Sequence, residues 1–472
     1  MTRPQISFGT DGWRAIIADE FTFQNVRACA IAVSLHLLEN GESSRGVVVG
    51  YDTRFGSKRF ASAVAEELTG YGIDARVFDV PAPTPACSFS VVDHGAAIGV
   101  MITASHNPPE WNGFKVKSSA GSSAPPEEVA RIESHLADVL AGTAKAPSSR
   151  AAGSSETFEV IPPYLTQLER VIDLAPIKSS KLKVVVDAMH GSGAGIIPAV
   201  LGGGSIEVIE IRSNPDPSFP GMNQPEPIEY NVKPLSAAVV EHEADVGIAL
   251  DGDGDRVGIV DEHGNYFSTL EVFSLLTDHF MGRRNETGGV ACTITMSSMV
   301  DKLSAKYGEP VYRTPVGFKY VGPTMLDNGC SMGGEESGGY AFKGHVPERD
   351  GSLSGLLFLE AMVMSGKLPS QLLSELHESI GFHTFRREDR AYARSDREKV
   401  TQSVSALAPD SLGGLNVESI DRQDGVRLNL AGGSWAVVRM SGTEPLLRLY
   451  AEAGSQEEVN AILTDLNKSV GA

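Results

Sequence analysis

The chain has 472 residues and carries 40 Lys and Arg against 60 Asp and Glu, a formal net charge of −20. That excess of acid argues against a general nucleic-acid binder and against a polybasic membrane-surface protein, both of which need basic surface. Apolar residues at 41% and 50 glycines fit a globular chain, and at about 150 residues per domain the length suggests roughly three domains.

The opening residues, MTRPQISFGTDGW, hold no apolar segment of the signal-peptide kind, and the apolar run 96–102 is too short to cross a bilayer. Cys29, Cys87, Cys292 and Cys330 form no C-x-x-C pair and read as buried small hydrophobes. A soluble cytoplasmic protein is expected. Thr22 can cap a helix whose apolar face runs Val26, Cys29, Ala30, Val33 and Leu37, ending at Gly41. Ser57 can cap a second, with Phe60, Val64 and Leu68 inward and Gly70 as its stop. Between them Val47-Val48-Val49 reads as a strand buried on both faces, so the pattern predicts a mostly parallel sheet with helices on it.

This pattern repeats three times. First strands are expected at 46–50, 182–187 and 289–295, second strands at 75–80, 206–211 and 310–314, and third strands at 96–102, 244–250 and, weakly, 330–333. Each third strand leads into a polar loop: Thr103-Ala-Ser-His-Asn-Pro108, Asp251-Gly-Asp-Gly-Asp-Arg256 and Gly334-Glu-Glu-Ser-Gly-Gly339. Ligands of α/β sheets bind beyond the carboxyl ends of strands, so three equivalent loops could converge on one cleft. The small-residue stretch 141–155 reads as a linker. The last ninety or so residues are β-rich and close with a helix presenting Val459, Ile462, Leu463 and Leu466. The fold expected is α/β: three topologically similar domains with mixed, mostly parallel sheets, at 1–155, 156–264 and 265–380, and a smaller α+β domain at 381–472.

Asp251, Asp253 and Asp255 alternate with glycines that let a tight backbone aim all three inward, and such a cluster calls for a cation. Oxygen ligands indicate Mg²⁺ or Ca²⁺ instead of zinc. An EF-hand is the rival, with Glu262 at its twelfth position, but Arg256 stands where that loop needs glycine; a plain acidic turn is the other. Ser105 reads either as part of a Ser/Asn-rich turn or as a nucleophile at a strand terminus. His106 has a structural or a chemical role, and Lys115 could return to the cleft as a cation or proton-transfer group. The segment Arg439-Met-Ser-Gly-Thr-Glu-Pro-Leu-Leu-Arg448 has the forks, hydroxyls and glycine turn that suit a phosphate, with a surface turn as the alternative. Glu335, Glu336 and Ser337 suit hydrogen bonding to vicinal sugar hydroxyls, or form a solvated acidic turn.

Taken together, these loops resemble the α-D-phosphohexomutase family, the phosphoglucomutases and phosphomannomutases. The likeness covers essentially the whole chain, from Phe8-Gly-Thr-Asp-Gly-Trp-Arg14 through the serine, aspartate, glutamate and arginine loops in the family's order. The resemblance implies four domains around a central cleft. It implies that Ser105 is a phosphoserine in the resting enzyme and that Mg²⁺ bridges its phosphate to Asp251, Asp253 and Asp255. Arg14, Lys115 and Arg256 would then line the reacting end. Glu335 and Ser337 would hold sugar hydroxyls, and Arg439, Ser441, Gly442, Thr443 and Arg448 the non-reacting phosphate.

The same resemblance implies phosphoglucomutase activity, glucose 1-phosphate to glucose 6-phosphate and back, with glucose 1,6-bisphosphate as intermediate and activator. Sugar phosphates are the expected partners, and the chain is expected to be a monomer or weak homodimer. Thr314-Pro-Val-Gly-Phe-Lys319, with Gly317 and Lys319 as substrate contacts, looks like the glucose type. So does Glu336, where glucosamine mutases tend to have Gln and dual mannose/glucose enzymes Met. Mannose phosphates, a glucose-1,6-bisphosphate synthase and a non-catalytic sugar-phosphate-binding paralogue are the alternatives. One departure stands out: some members carry His after the Glu-x-Ser-Gly element, where this chain has Gly339. His345, in Gly344-His-Val-Pro-Glu-Arg-Asp-Gly351, is the candidate to replace it as acid/base or phosphate contact, or is a surface-loop histidine.

Overall fold

A computed structural model describes residues 6–9, 11–144, 151–441 and 445–470. Four sheets follow one another along the chain. The first runs in the order Trp13–Ile16, Trp111–Lys117, Ile98–Ile102, Val47–Tyr51, Ala75–Phe78, Ser155–Phe158. The second runs Tyr266–Phe267, Val257–Asp261, Val246–Leu250, Lys183–Asp187, Glu207–Ile211, and the third Val311–Thr314, Val290–Thr293, Met332–Gly334, Tyr340–Phe342. In each, the first strand of the repeat lies between the second and third and parallel to both, and a fourth returns antiparallel beside the third. The turn from third to fourth strand is therefore the same turn three times, and it carries Ser105, then Asp251 to Arg256, then Glu335 to Ser337.

Local chemistry accounts for most of these elements. Every residue of Val47–Tyr51 is buried, because the helices Ser57–Gly70 and Thr84–Asp93 both pack on it. Thr22 caps the helix Phe23–Glu39, its Oγ1 accepting from Asn25 N at 3.3 Å. Ser57 does not cap its helix: Gly56 precedes it in the left-handed region, and the Ser57 hydroxyl instead donates to Asp52 at 2.7 Å. The acidic loop joins two antiparallel strands, which removes the EF-hand reading, since that motif needs a helix on either side. All four cysteines are buried and free. Among the described residues, no helix is long and apolar enough to cross a membrane.

Ser155–Phe158 pairs with Ala75–Phe78, so the first sheet continues past residue 155; Tyr266–Phe267 pairs with Val257–Asp261, so the second continues past residue 264. The fourth sheet is antiparallel throughout and is covered by the helix Gln456–Ser469, which buries Val459, Ile462, Leu463 and Leu466. It docks on the third domain through Ile294, Trp435, Val437 and Tyr450. The buried Glu452 pins that seam, accepting from Ser298 Oγ at 2.6 Å and Trp435 Nε1 at 3.1 Å.

Candidate active site

Ser105 is fully buried and sits at φ +54°. Its Oγ lies 3.4 Å from Asp251 Oδ2, across from the second domain. Such proximity needs close backbone approach: a Cβ on Gly252 would lie 2.8 Å from the Ser105 carbonyl oxygen. The left-handed turn also brings His106 Nδ1 to 3.4 Å from Ser105 Oγ, although neighbours in sequence rarely face each other. Burial, reinforced by Arg256, Arg14, Arg54 and Lys115, holds the His106 pKa well below the usual imidazole range.

The three aspartates are fully buried, and one oxygen from each lies within 4.8 Å of the others. Asp251 Oδ1 accepts from the backbone N–H groups of Asp255 and Arg256 at 2.9 and 3.0 Å. Asp253 Oδ2 accepts from Thr84 Oγ1 at 2.6 Å and Lys115 Nζ at 2.9 Å. Asp253 Oδ1 and Asp255 Oδ1 are buried with no hydrogen-bond partner among the described residues. Burial, with Asp255 and Asp253 beside it, pushes the Asp251 carboxyl well above the usual range. Unpartnered hard oxygens and crowded carboxylates together fit a divalent cation.

Lys115 is buried against Asp11, Asp253 and Asp255 at 2.7, 2.9 and 3.2 Å. Burial alone would lower its pKa, but the three carboxylates outweigh that and raise it, so it is held as an ammonium. Arg14 reaches Asn107 Oδ1 at 2.8 Å, beside the serine, and Arg256 pairs with Glu226 at 2.5 Å and faces Asp251 and Asp255 at 3.9 Å.

The third loop joins this cluster through Arg349. Its guanidinium lies 2.6 Å from Asp11, 3.1 Å from Asp255 and 3.6 Å from Glu335, one partner from each of three domains. Ser337 Oγ is buried without a hydrogen-bond partner among the described residues. Glu336 stands 3.9 Å from Arg387 of the fourth domain. There Arg439 and Arg448 face each other across paired strands, and Arg439 Nε donates to Asp424 at 2.7 Å. Ser441 lies two residues beyond Arg439, its N–H bound to Leu446 O at 2.8 Å; Gly442 and Thr443 lie outside the described residues. Gly317, at φ +132°, opens the helix Phe318–Asn328, and Lys319 Nζ donates to Gly9 O at 3.2 Å.

His345 does not stand where Gly339 leaves room. Its buried side chain lies near the rings of Phe89 and Tyr164, with Nε2 3.1 Å from Asp350, and none of its contacts is with Ser105, the triad or Glu335. Arg349 fills that room instead: a Cβ on Gly339 would lie 2.3 Å from Arg349 Cδ. Gly339→Ala is accordingly expected to lower the melting point, by an overpacking cost of about 1–3 kcal/mol. Combining it with Arg349→Ala should relieve most of that cost; strictly additive melting shifts would contradict the clash.

Sequence reasoning missed Arg349, Asp11, Thr84 and Arg54. The first two lie inside segments singled out for other residues, and Arg54 follows a strand's carboxyl end, which was signal enough to examine it.

A buried serine stands against a carboxylate triad that could hold a cation, ringed by basic groups and joined through Arg349 to the third polar loop; the arrangement suits phosphoryl transfer. The four domain models of the phosphoglucomutase/phosphomannomutase family match the chain in order: α/β/α domain I at 5–141, domain II at 162–264, domain III at 270–380 and the C-terminal domain at 390–469. The chain belongs to this family, and it is a phosphohexomutase. It is 34% identical over 457 residues to a "Phosphoglucomutase/phosphomannomutase" of Thermococcus kodakarensis, covering 97% of this chain and 96% of the relative. It is 32% identical over 455 residues to a "Probable phosphoglucosamine mutase" of Methanopyrus kandleri, covering 96% and 95%. A crystal structure from Thermus thermophilus, provisionally named a phosphomannomutase, superposes with a TM-score of 0.85 at 35% identity, covering 99% of each chain.

Proposed function

We propose that the protein interconverts glucose 1-phosphate and glucose 6-phosphate through a phosphoserine at Ser105 and a glucose 1,6-bisphosphate intermediate. The observation that carries the chemistry is Ser105 Oγ lying 3.4 Å from the triad's Asp251. O6 of the sugar forms a bond to phosphorus and gives up its proton as the P–Oγ bond breaks; Ser105 Oγ takes that bond's electron pair and the proton, which restores the serine hydroxyl. Mg²⁺, held by Asp251, Asp253 and Asp255, supplies Lewis-acid polarisation of the phosphoryl oxygens when bound. Arg14, Lys115 and Arg256 offset charge on those oxygens, which dominates phosphoryl transfer. Lys115, paired with three carboxylates, suits that role better than removal of the O6 proton. Glu335 and Ser337 accept and donate to sugar hydroxyls. Arg439, Ser441 and Arg448, with Gly442 and Thr443, hold the phosphate at the far end, whichever end that is, and so serve both half-reactions.

Glucose is favoured by Glu335-Glu336-Ser337 and by Thr314 to Lys319. Two second readings have specific support. Relatives named phosphoglucosamine mutase suggest an amino sugar, whose ammonium a carboxylate such as Glu336 could also accept. The relative named for both glucose and mannose supports a dual enzyme. Coupled assays with glucose, mannose and glucosamine 1-phosphates, with and without glucose 1,6-bisphosphate, separate them. The highest kcat/KM is expected for glucose, with stimulation by the bisphosphate. A preference for glucosamine or mannose would overturn the sugar assignment, and bisphosphate accumulating as product would make the enzyme a synthase.

A further inference from the structure

Arg54 stands at the carboxyl end of the central strand Val47–Tyr51, 3% exposed. Among the described residues its four terminal hydrogen bonds all go to main-chain carbonyls of the Ser105 loop and of Trp111, the first residue of the strand that follows. Nη2 donates to Ser105 O at 2.6 Å and Asn107 O at 2.5 Å, and Nη1 to Pro108 O at 2.8 Å and Trp111 O at 3.1 Å. Its Nε faces Asp52 Oδ2 at 3.4 Å, and Asp52 is itself fixed by Ser57 Oγ at 2.7 Å and Arg54 N at 2.9 Å. Phe219 of the second domain covers the guanidinium at 5.0 Å.

We infer that Arg54 is a positioning residue for Ser105: its guanidinium fork holds the loop carbonyls from behind, so that Ser105 keeps its left-handed backbone and presents Oγ to the triad. The inference rests on the reading of Ser105 as nucleophile. A non-glycine residue at φ +54° persists only where its surroundings enforce it. The carbonyls of residues 105, 107, 108 and 111 are gathered around one planar five-donor group. Lysine keeps the charge but is a point donor and cannot span that set. Arg54 touches no reacting atom in this arrangement, so its loss should misplace Oγ and leave the sugar and distal-phosphate contacts in place.

The test compares wild type, Arg54→Lys, Arg54→Ala and Ser105→Ala as full-length proteins charged with glucose 1,6-bisphosphate. Intact mass gives the phosphorylated fraction, and single-turnover transfer to glucose 1-phosphate gives the rate per phosphorylated site. Arg54→Lys is expected to slow that rate and kcat by about 10²-fold, the scale of a misplaced reacting group, with KM nearly unchanged. Millimolar guanidinium should restore Arg54→Ala substantially and Arg54→Lys hardly at all, which a purely structural defect would not do. A wild-type rate per phosphorylated site in folded Arg54→Lys overturns the inference. So does failure of both variants to fold, which would make Arg54 a folding residue only. Equal turnover by wild type and Ser105→Ala is a separate result: it removes the nucleophile reading and the inference with it.

Discussion

Ser105→Ala is expected to lose kcat by on the order of 10⁴-fold or more, the scale on which removal of a covalent nucleophile is felt. The folded state should hardly notice. The hydroxyl's two contacts, with Asp251 and His106, are both 3.4 Å long, and the loop is held by main-chain bonds that alanine keeps. Melting should therefore shift little, while the phosphate that intact mass finds on wild type after exposure to glucose 1,6-bisphosphate should be absent from the variant. An alanine protein with activity near wild type would sink the phosphoserine mechanism. A wild type that binds sugar phosphates but neither carries phosphate nor turns over would instead point to the non-catalytic paralogue.

The second large effect concerns the triad. Chelation should abolish turnover and added Mg²⁺ restore it. In Asp253→Asn, kcat should fall about 10³-fold, since Lewis-acid stabilisation of transition-state charge is worth several kcal/mol and each 1.36 kcal/mol is tenfold. Asp253 is the informative member. Its Oδ2 is engaged by Thr84 and Lys115, while its buried Oδ1 has no hydrogen-bond partner among the described residues. Asparagine keeps the shape and removes the charge. Mg²⁺ at about 100 times its Kd should stabilise wild type by about 2.7 kcal/mol, read as a raised melting point that Asp253→Asn lacks. Full activity after exhaustive chelation would contradict the cation-binding reading.

The legibility of this chain was uneven for physical reasons. The triple repeat could be read because its signals are local: valine-rich strands buried on two faces, glycine stops, and a polar loop behind each third strand. The weak third copy was placed at 330–333 and lies at Met332–Gly334, where a three-residue strand has too little length to announce itself. Ser57 showed the limit of capping rules, because a buried carboxylate five residues earlier outcompetes the helix for its hydroxyl. Within the candidate site, Ser105 and the aspartates stand out in the sequence because their polar groups are crowded into one loop each. Arg349 was not. Its significance lies in partners 338, 94 and 14 residues away, a set assembled only by folding. The misplacement of His345 followed from the same blindness: the loop containing it does reach the cleft, but through Arg349, four residues on.

The pairing of Ser155–Phe158 with Ala75–Phe78 bears on the order in which the chain is made. A ribosome that has released only the first 144 residues has produced the serine, its loop and its helices, but leaves Ala75–Phe78 as an open edge with unpaired main-chain groups. The first sheet is thus completed only when Ser155–Phe158 emerges. During synthesis the chain must hold Ser105 on an unfinished sheet until that last parallel strand arrives.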